Sequence, residues 1–191
     1  MAKAFRNTRK GITGELERAE RDLVRRLFDD VIGMLEPADR ADEDPLAALV
    51  GLDATASKPE DSALLRLLPD GVKDNDDESL EFRRFTERSL REDKVAALRA
   101  GSLLLEQNPL QLTPEQAQLL GRAINDVRLV LADRLDIETD EDAQALHEID
   151  DWSQAEDLQT YLALVYNFLT WLQESLMQSL LAGLHHPGSR A

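Results

Sequence analysis

The chain has 191 residues, 22 Lys plus Arg against 38 Asp plus Glu, a formal charge of −16 and no cysteine. That length suits a single domain able to bury a core without a covalent staple. The missing thiols exclude disulfides, thiolate catalysis and Cys-based zinc or iron-sulfur ligation.

An acidic surface repels polyphosphate and anionic membranes except where basic residues are concentrated. They are concentrated in residues 1–26, where Lys3, Arg6, Arg9, Lys10, Arg18, Arg21, Arg25 and Arg26 face only four carboxylates, a local +4 that leaves −20 on the remainder. No run of seven apolar residues follows the first basic residues, so the start does not read as a secretory signal. No stretch of about 20 apolar residues reads as a membrane span. A cytoplasmic protein is the expectation.

In chain order, Phe5 to Leu16 suits a small hairpin around Lys10-Gly11, with Phe5, Ile12 and Leu16 as its apolar anchors. Ala19, Leu23, Leu27, Phe28, Val31, Ile32 and Leu35 then recur at helical spacing, and Pro37 ends that helix. Residues 36–61, with three prolines and the acidic run Asp39 to Asp44, read as a variable connection holding at most a short helix, Leu46 to Leu52. A helix over Ser62 to Leu68 stops at Pro69-Asp70-Gly71. Asp74 to Glu78 precede a long helix from about Ser79 to Glu106, their charge complementing a helix start. That run lacks the glycine a calcium loop needs at its sixth position.

Thr113-Pro114-Glu115-Gln116 supplies an N-cap, a proline at the first helical position and a capping-box glutamine, ahead of the stripe Leu120, Ala123, Ile124, Val127, Val130 and Leu131. A shorter helix covers Asp140 to Glu148, and the last begins at Ser153 with Glu156 completing another capping box. The expectation is one all-α helical bundle over residues 1–184, with room for a small N-terminal β-hairpin, followed by a disordered tail at 185–191.

Between Leu158 and Leu184 the only charged residue is Glu174, and apolar positions cover more than half of the helix circumference. Such a helix is enclosed either by its own bundle or by a second subunit. Trp171 is its anchor in both readings. The core reading buries it under the helices starting near Ala19 and Pro114, and the interface reading makes a homodimer.

The search for reaction chemistry is mostly negative. Phosphate-loop, dinucleotide, nucleophile-elbow and zinc-helix motifs are absent. His147, on one face with Asp150 and Asp151, could offer a metal one nitrogen and two carboxylates, but nothing nearby supplies a firm further ligand. Ala117, Gly121, Val127 and Val130 match helix-turn-helix spacings, yet Arg122-Ala123-Ile124 contains no break and Asp126, Asp133 and Asp136 would repel phosphates.

Arg83 and Arg84 lie among carboxylates, with Arg83–Glu87 and Arg88–Glu92 at four-residue spacing. Asn125, Asp126 and Arg128 interrupt an apolar-striped helix. Together these polar groups are candidates for a buried network that cross-links helices.

The segments Leu67-Leu68-Pro69-Asp70, Glu81 to Glu87, Leu90-Arg91 with Lys94, Leu119 to Leu135 and Tyr166 to Leu176 resemble an actinobacterial family long known as a domain of unknown function, the AosR family of oxidative-stress transcriptional regulators. The resemblance spans nearly the whole chain, with Glu36 to Asp61 and the tail as its variable parts. It implies a cytoplasmic regulator that senses redox imbalance through a cysteine pair, associates with an alternative sigma factor and raises expression of cysteine-biosynthesis genes. Without cysteine no disulfide switch operates here, so the helical scaffold and its protein contacts carry over and the thiol sensing does not.

The functional expectation is a non-enzymatic, transcription-linked interaction protein, without a cofactor, whose acidic body meets a basic protein partner such as a sigma factor or polymerase component. Two alternatives are weak DNA binding by the arm carrying Lys3, Arg6, Arg9 and Lys10, and a small metal-dependent enzyme around His147.

Overall fold

The computed structural model describes residues 2–36, 56–147, 152 and 157–184. Among them are three short strands, β1 (Lys3–Thr8), β2 (Gly11–Glu15) and β3 (Leu110–Leu112), and six helices: α1 (Arg18–Leu35), α2 (Ser62–Leu67), α3 (Asp76–Leu104), α4 (Pro114–Arg134), α5 (Asp140–His147) and α6 (Leu158–Leu184). The fold is mostly helical with a small antiparallel sheet. The expected helix at Leu46–Leu52, the Ser153–Glu156 cap and the tail lie outside the described residues, as do Asp150, Asp151 and the His147 side chain.

The sheet runs β1-β2-β3. Its hairpin half follows the expectation, because Gly11 adopts φ +106, a conformation that favours glycine at the tight turn. A side chain at Gly11 would also meet the Leu112 carbonyl at 2.7 Å, so the same residue admits β3 alongside. Phe5, Ile12, Leu110 and Leu112 point inward and are buried, while Arg6, Thr13 and Gln111 align on the outer face.

Helix α4 is central and packs against α1, α2, α3 and α6. Its start matches the sequence reading: Thr113 Oγ1 accepts the Gln116 N–H at 3.2 Å, and Gln116 Oε1 accepts the Thr113 N–H at 2.9 Å. It is continuous from Pro114 to Arg134, so Gly121 to Val130 do not form a turn between two helices. Helix α3 starts three residues before the expected Ser79, capped by Asn75, whose Oδ1 accepts the Glu78 N–H at 3.2 Å. Asp76, Asp77 and Glu78 therefore occupy its first turn, where their charge offsets the exposed amide ends. Near its other end Gly101 lets α3 approach closely; an added Cβ would lie 3.0 Å from the Phe28 ring of α1 and 3.3 Å from Ala123 of α4.

Helix α6 buries Val165, Leu169, Leu172 and Leu176, packing mainly on α4 and β1. Strand β1 lies along its C-terminal half. Ser175 Oγ accepts the Phe5 N–H at 3.3 Å, and the Ser179 carbonyl accepts from Asn7 Nδ2 at 3.3 Å. An edge strand that would otherwise present unpaired amides is covered this way. No helix among the described residues is long and apolar enough to cross a membrane.

Candidate functional site

The expected single polar network separates into two clusters. The first lies under the N-terminal half of α3, where the inward positions at helical spacing are Ser79, Arg83 and Glu87, all buried. Arg83, 5% exposed, donates to Glu87, to Asp70 Oδ1 at 2.8 Å and to the Leu68 carbonyl at 3.0 Å. The second carboxylate oxygen of Glu87 accepts from Arg91 Nε at 2.8 Å, and Arg91 reaches the Leu35 carbonyl at 2.9 Å. The two arginines thus satisfy carbonyls at the C-terminal ends of α1 and α2, which helix geometry leaves without partners. Burial works against the charge of Arg83, but its hydrogen bonds to Glu87 and Asp70 outweigh that, and its pKa is raised. The same Arg83 contact, helped by Lys58, holds the Asp70 carboxyl below its ordinary value. Arg84 is exposed and stands outside this cluster.

The second cluster joins α3, α4 and α6. Arg128 donates to Thr170 Oγ1 at 3.0 Å, to Gln173 and to the Tyr166 hydroxyl at 3.3 Å. Gln173 in turn donates to the Gly121 carbonyl at 3.2 Å and, at the limit of hydrogen-bond length, to Asn125 at 3.5 Å. Asp126 accepts from Lys94 at 2.6 Å. Burial raises the Asp126 carboxyl above its ordinary value and Lys94 opposes that shift. Beside this pair a groove of about 720 Å³ opens between α3 and α6, floored by Gly121 and Asn125 and walled by Leu90 and Met177. Its charged groups are Asp93, Lys94, Arg122 and Asp126, with Lys94 paired to Asp126. Such a set can recognise polar groups, and among its lining residues there is no hydroxyl or imidazole to act as a nucleophile.

Trp171 is a correction. The core reading buried it beneath α1 and α4, but it is 38% exposed and stacks on Phe168, ring centroids 6.2 Å apart. The arc facing α4 is filled by Leu169, Leu172 and Leu176, and Trp171 falls a quarter-turn beyond it. In the arm, Lys3 is tied to Glu15 at 2.6 Å, while Arg6, Arg9 and Lys10 are exposed. No group of three or more potential metal ligands converges among the described residues.

Sequence reasoning did not anticipate the outward rings of α3. Phe82 is 50% and Phe85 61% exposed, opposite the inward Arg83 and Glu87. The signal was present, since the two phenylalanines fall nearly opposite the Val95 and Leu98 stripe on a helical projection. The N-terminal half of α3 is therefore inside out, with charge inward and rings outward.

No curated protein and no solved structure matches the chain. A family model, Domain of unknown function (DUF2017), matches residues 2–180, nearly the entire length over which these helices and strands are laid out. The chain belongs to that family.

Proposed function

We propose that this chain is a non-enzymatic regulatory protein that acts through protein contacts, linked to transcription in the manner of the AosR family it resembles and without thiol sensing. The observation that carries the reading is the inverted half of α3. Exposing Phe82 and Phe85 leaves apolar surface in water, which protein contact would relieve. Aromatic rings of this kind are enriched where protein partners bind.

The charge of −16 adds a preference for a basic partner, such as a sigma factor or another polymerase component, and speeds encounter with it. The paired state of the buried charges supports a contact role over catalysis. Arg83, Glu87 and Arg91 bind each other and helix ends, leaving no reactive group oriented toward a substrate.

Affinity capture from an actinobacterial extract tests the reading, with the intact chain and a Phe82→Ser/Phe85→Ser variant as baits at low and high salt. Recovery of a transcription protein is expected, reduced by salt and lost with the variant. Recovery of none, or capture indifferent to salt and to both substitutions, overturns it.

A further inference from the structure

The outer face of the first half of α6 is marked in two respects. The first is its rings. Tyr161, Phe168 and Trp171 fall at seven- and three-residue spacing and so share one side of the helix. Trp152 meets Tyr161 edge-on with centroids 6.1 Å apart, as Phe168 meets Trp171 in a stack. Trp152, Tyr161 and Trp171 are exposed. Farther along the same side, Ser175 and Ser179 are covered by β1 through Phe5 and Asn7. The strand thus covers the C-terminal half of this side and leaves the aromatic half in solvent.

The second respect is charge. From Leu135 to Ser189 the sequence holds eleven carboxylates and not one Lys or Arg, and both tryptophans and both tyrosines fall in this interval. Asp157 and Glu174, on the same helix and its cap, are exposed. Lys3 of the covering strand is held by Glu15. Among the described residues, the one cation lying over a ring is Arg128, over the inward Tyr166 at 5.2 Å from its centroid. Among the described residues the outer rings have no such partner. An aromatic face attracts cations through its quadrupole, and neighbouring carboxylates strengthen that attraction.

We propose that this face docks an arginine- and lysine-bearing segment of a protein partner, with cationic side chains over Trp171 and Tyr161 and paired with Asp157 and Glu174. The proposal rests on the reading of the chain as a protein-contact module and supplies the chemistry of what it contacts. A second copy is disfavoured as occupant, because a two-fold contact through this face would set two cation-free acidic surfaces against each other.

Trp152 and Trp171 are the two tryptophans of the sequence, so intrinsic emission reports on this face directly. The intact protein is titrated with a peptide of Arg-Leu-Ala-Lys repeated four times, and with a matched peptide carrying Glu in place of Arg and Lys. Calorimetry runs in parallel, and circular dichroism checks the fold of each variant. Saturable binding of the basic peptide alone is expected, weakened by salt and reduced about tenfold or more by Trp171→Ser and by Tyr161→Ser. Phe82→Ser/Phe85→Ser should leave it unchanged.

Absence of binding, equal binding of the acidic peptide, or indifference to both α6 substitutions overturns the proposal. So does a dimer in sedimentation that Trp171→Ser dissociates. Peptide binding that persists while no transcription protein is captured from extract sinks the functional reading above and leaves this surface standing. Capture that survives Trp171→Ser, with no peptide binding, does the reverse.

Discussion

The two halves of α3 follow opposite rules on one helix. In the C-terminal half Val95, Leu98 and Gly101 face inward and pack against α1 and α4, as an amphipathic helix should. In the N-terminal half Ser79, Arg83 and Glu87 face inward and Phe82 and Phe85 face out. The difference teaches that the charged inner positions are structural, because Arg83 and Glu87 with Arg91 complete the ends of α1 and α2. Of the outer rings, Phe82 covers Gly71, where an added Cβ would run into it, and Phe85 stands in solvent. In this chain buried charge marks architecture, and the exposed rings are the surface proposed for contact.

Substitutions can break that contrast. The largest effect is expected at Glu87, whose two oxygens hold Arg83 and Arg91. Glu87→Ala leaves Arg83 with Asp70 alone, removes the carboxylate that holds Arg91, and should cost about 3 kcal/mol in denaturant unfolding. A loss below about 1 kcal/mol would mean that water reaches this cluster. In the other half, Leu98→Ala removes a fully buried side chain and should cost about 3 kcal/mol through lost burial and the cavity left behind.

Asp70→Asn tests the first cluster by pH. The Arg83 hydrogen bond lowers the folded pKa of Asp70, so its stabilisation is fully present above the unfolded value of about 3.9 and is lost as pH falls through the folded one. The variant should be less stable at pH 7 by about 1–3 kcal/mol, and the gap should close below about pH 4. Unfolding curves at stepped pH check this, and a constant gap would remove the ion pair from the account. The smallest effect is expected at Phe85→Ser, within about 0.5 kcal/mol in thermal unfolding, since an exposed ring contributes little to the folded state. A large loss there would assign Phe85 to the core.

Local signals were legible where one short segment carried the whole cause. Thr113, Pro114 and Gln116 placed the start of α4 to the residue, and Gly11 placed the hairpin turn. Strand β3 was not legible, because Leu110-Gln111-Leu112 is three residues long and exists through pairing with β2, far away in sequence. Trp171 could not be placed by periodicity either. Apolar residues extend too far round α6 for the pattern to say which arc α4 and β1 would cover. Of the polar residues singled out, Arg84 is exposed and belongs to neither cluster, and the division of the others into two clusters depends on Asp70, Thr170 and Gln173, whose proximity only the tertiary fold creates.

The contact between Phe5 and Ser175 joins residues 170 positions apart. During synthesis β1 must wait, with its outer edge unpaired, until α6 has been made. Closure of this fold is consequently a late event in the life of the nascent polypeptide, and truncation within α6 removes the cover from β1.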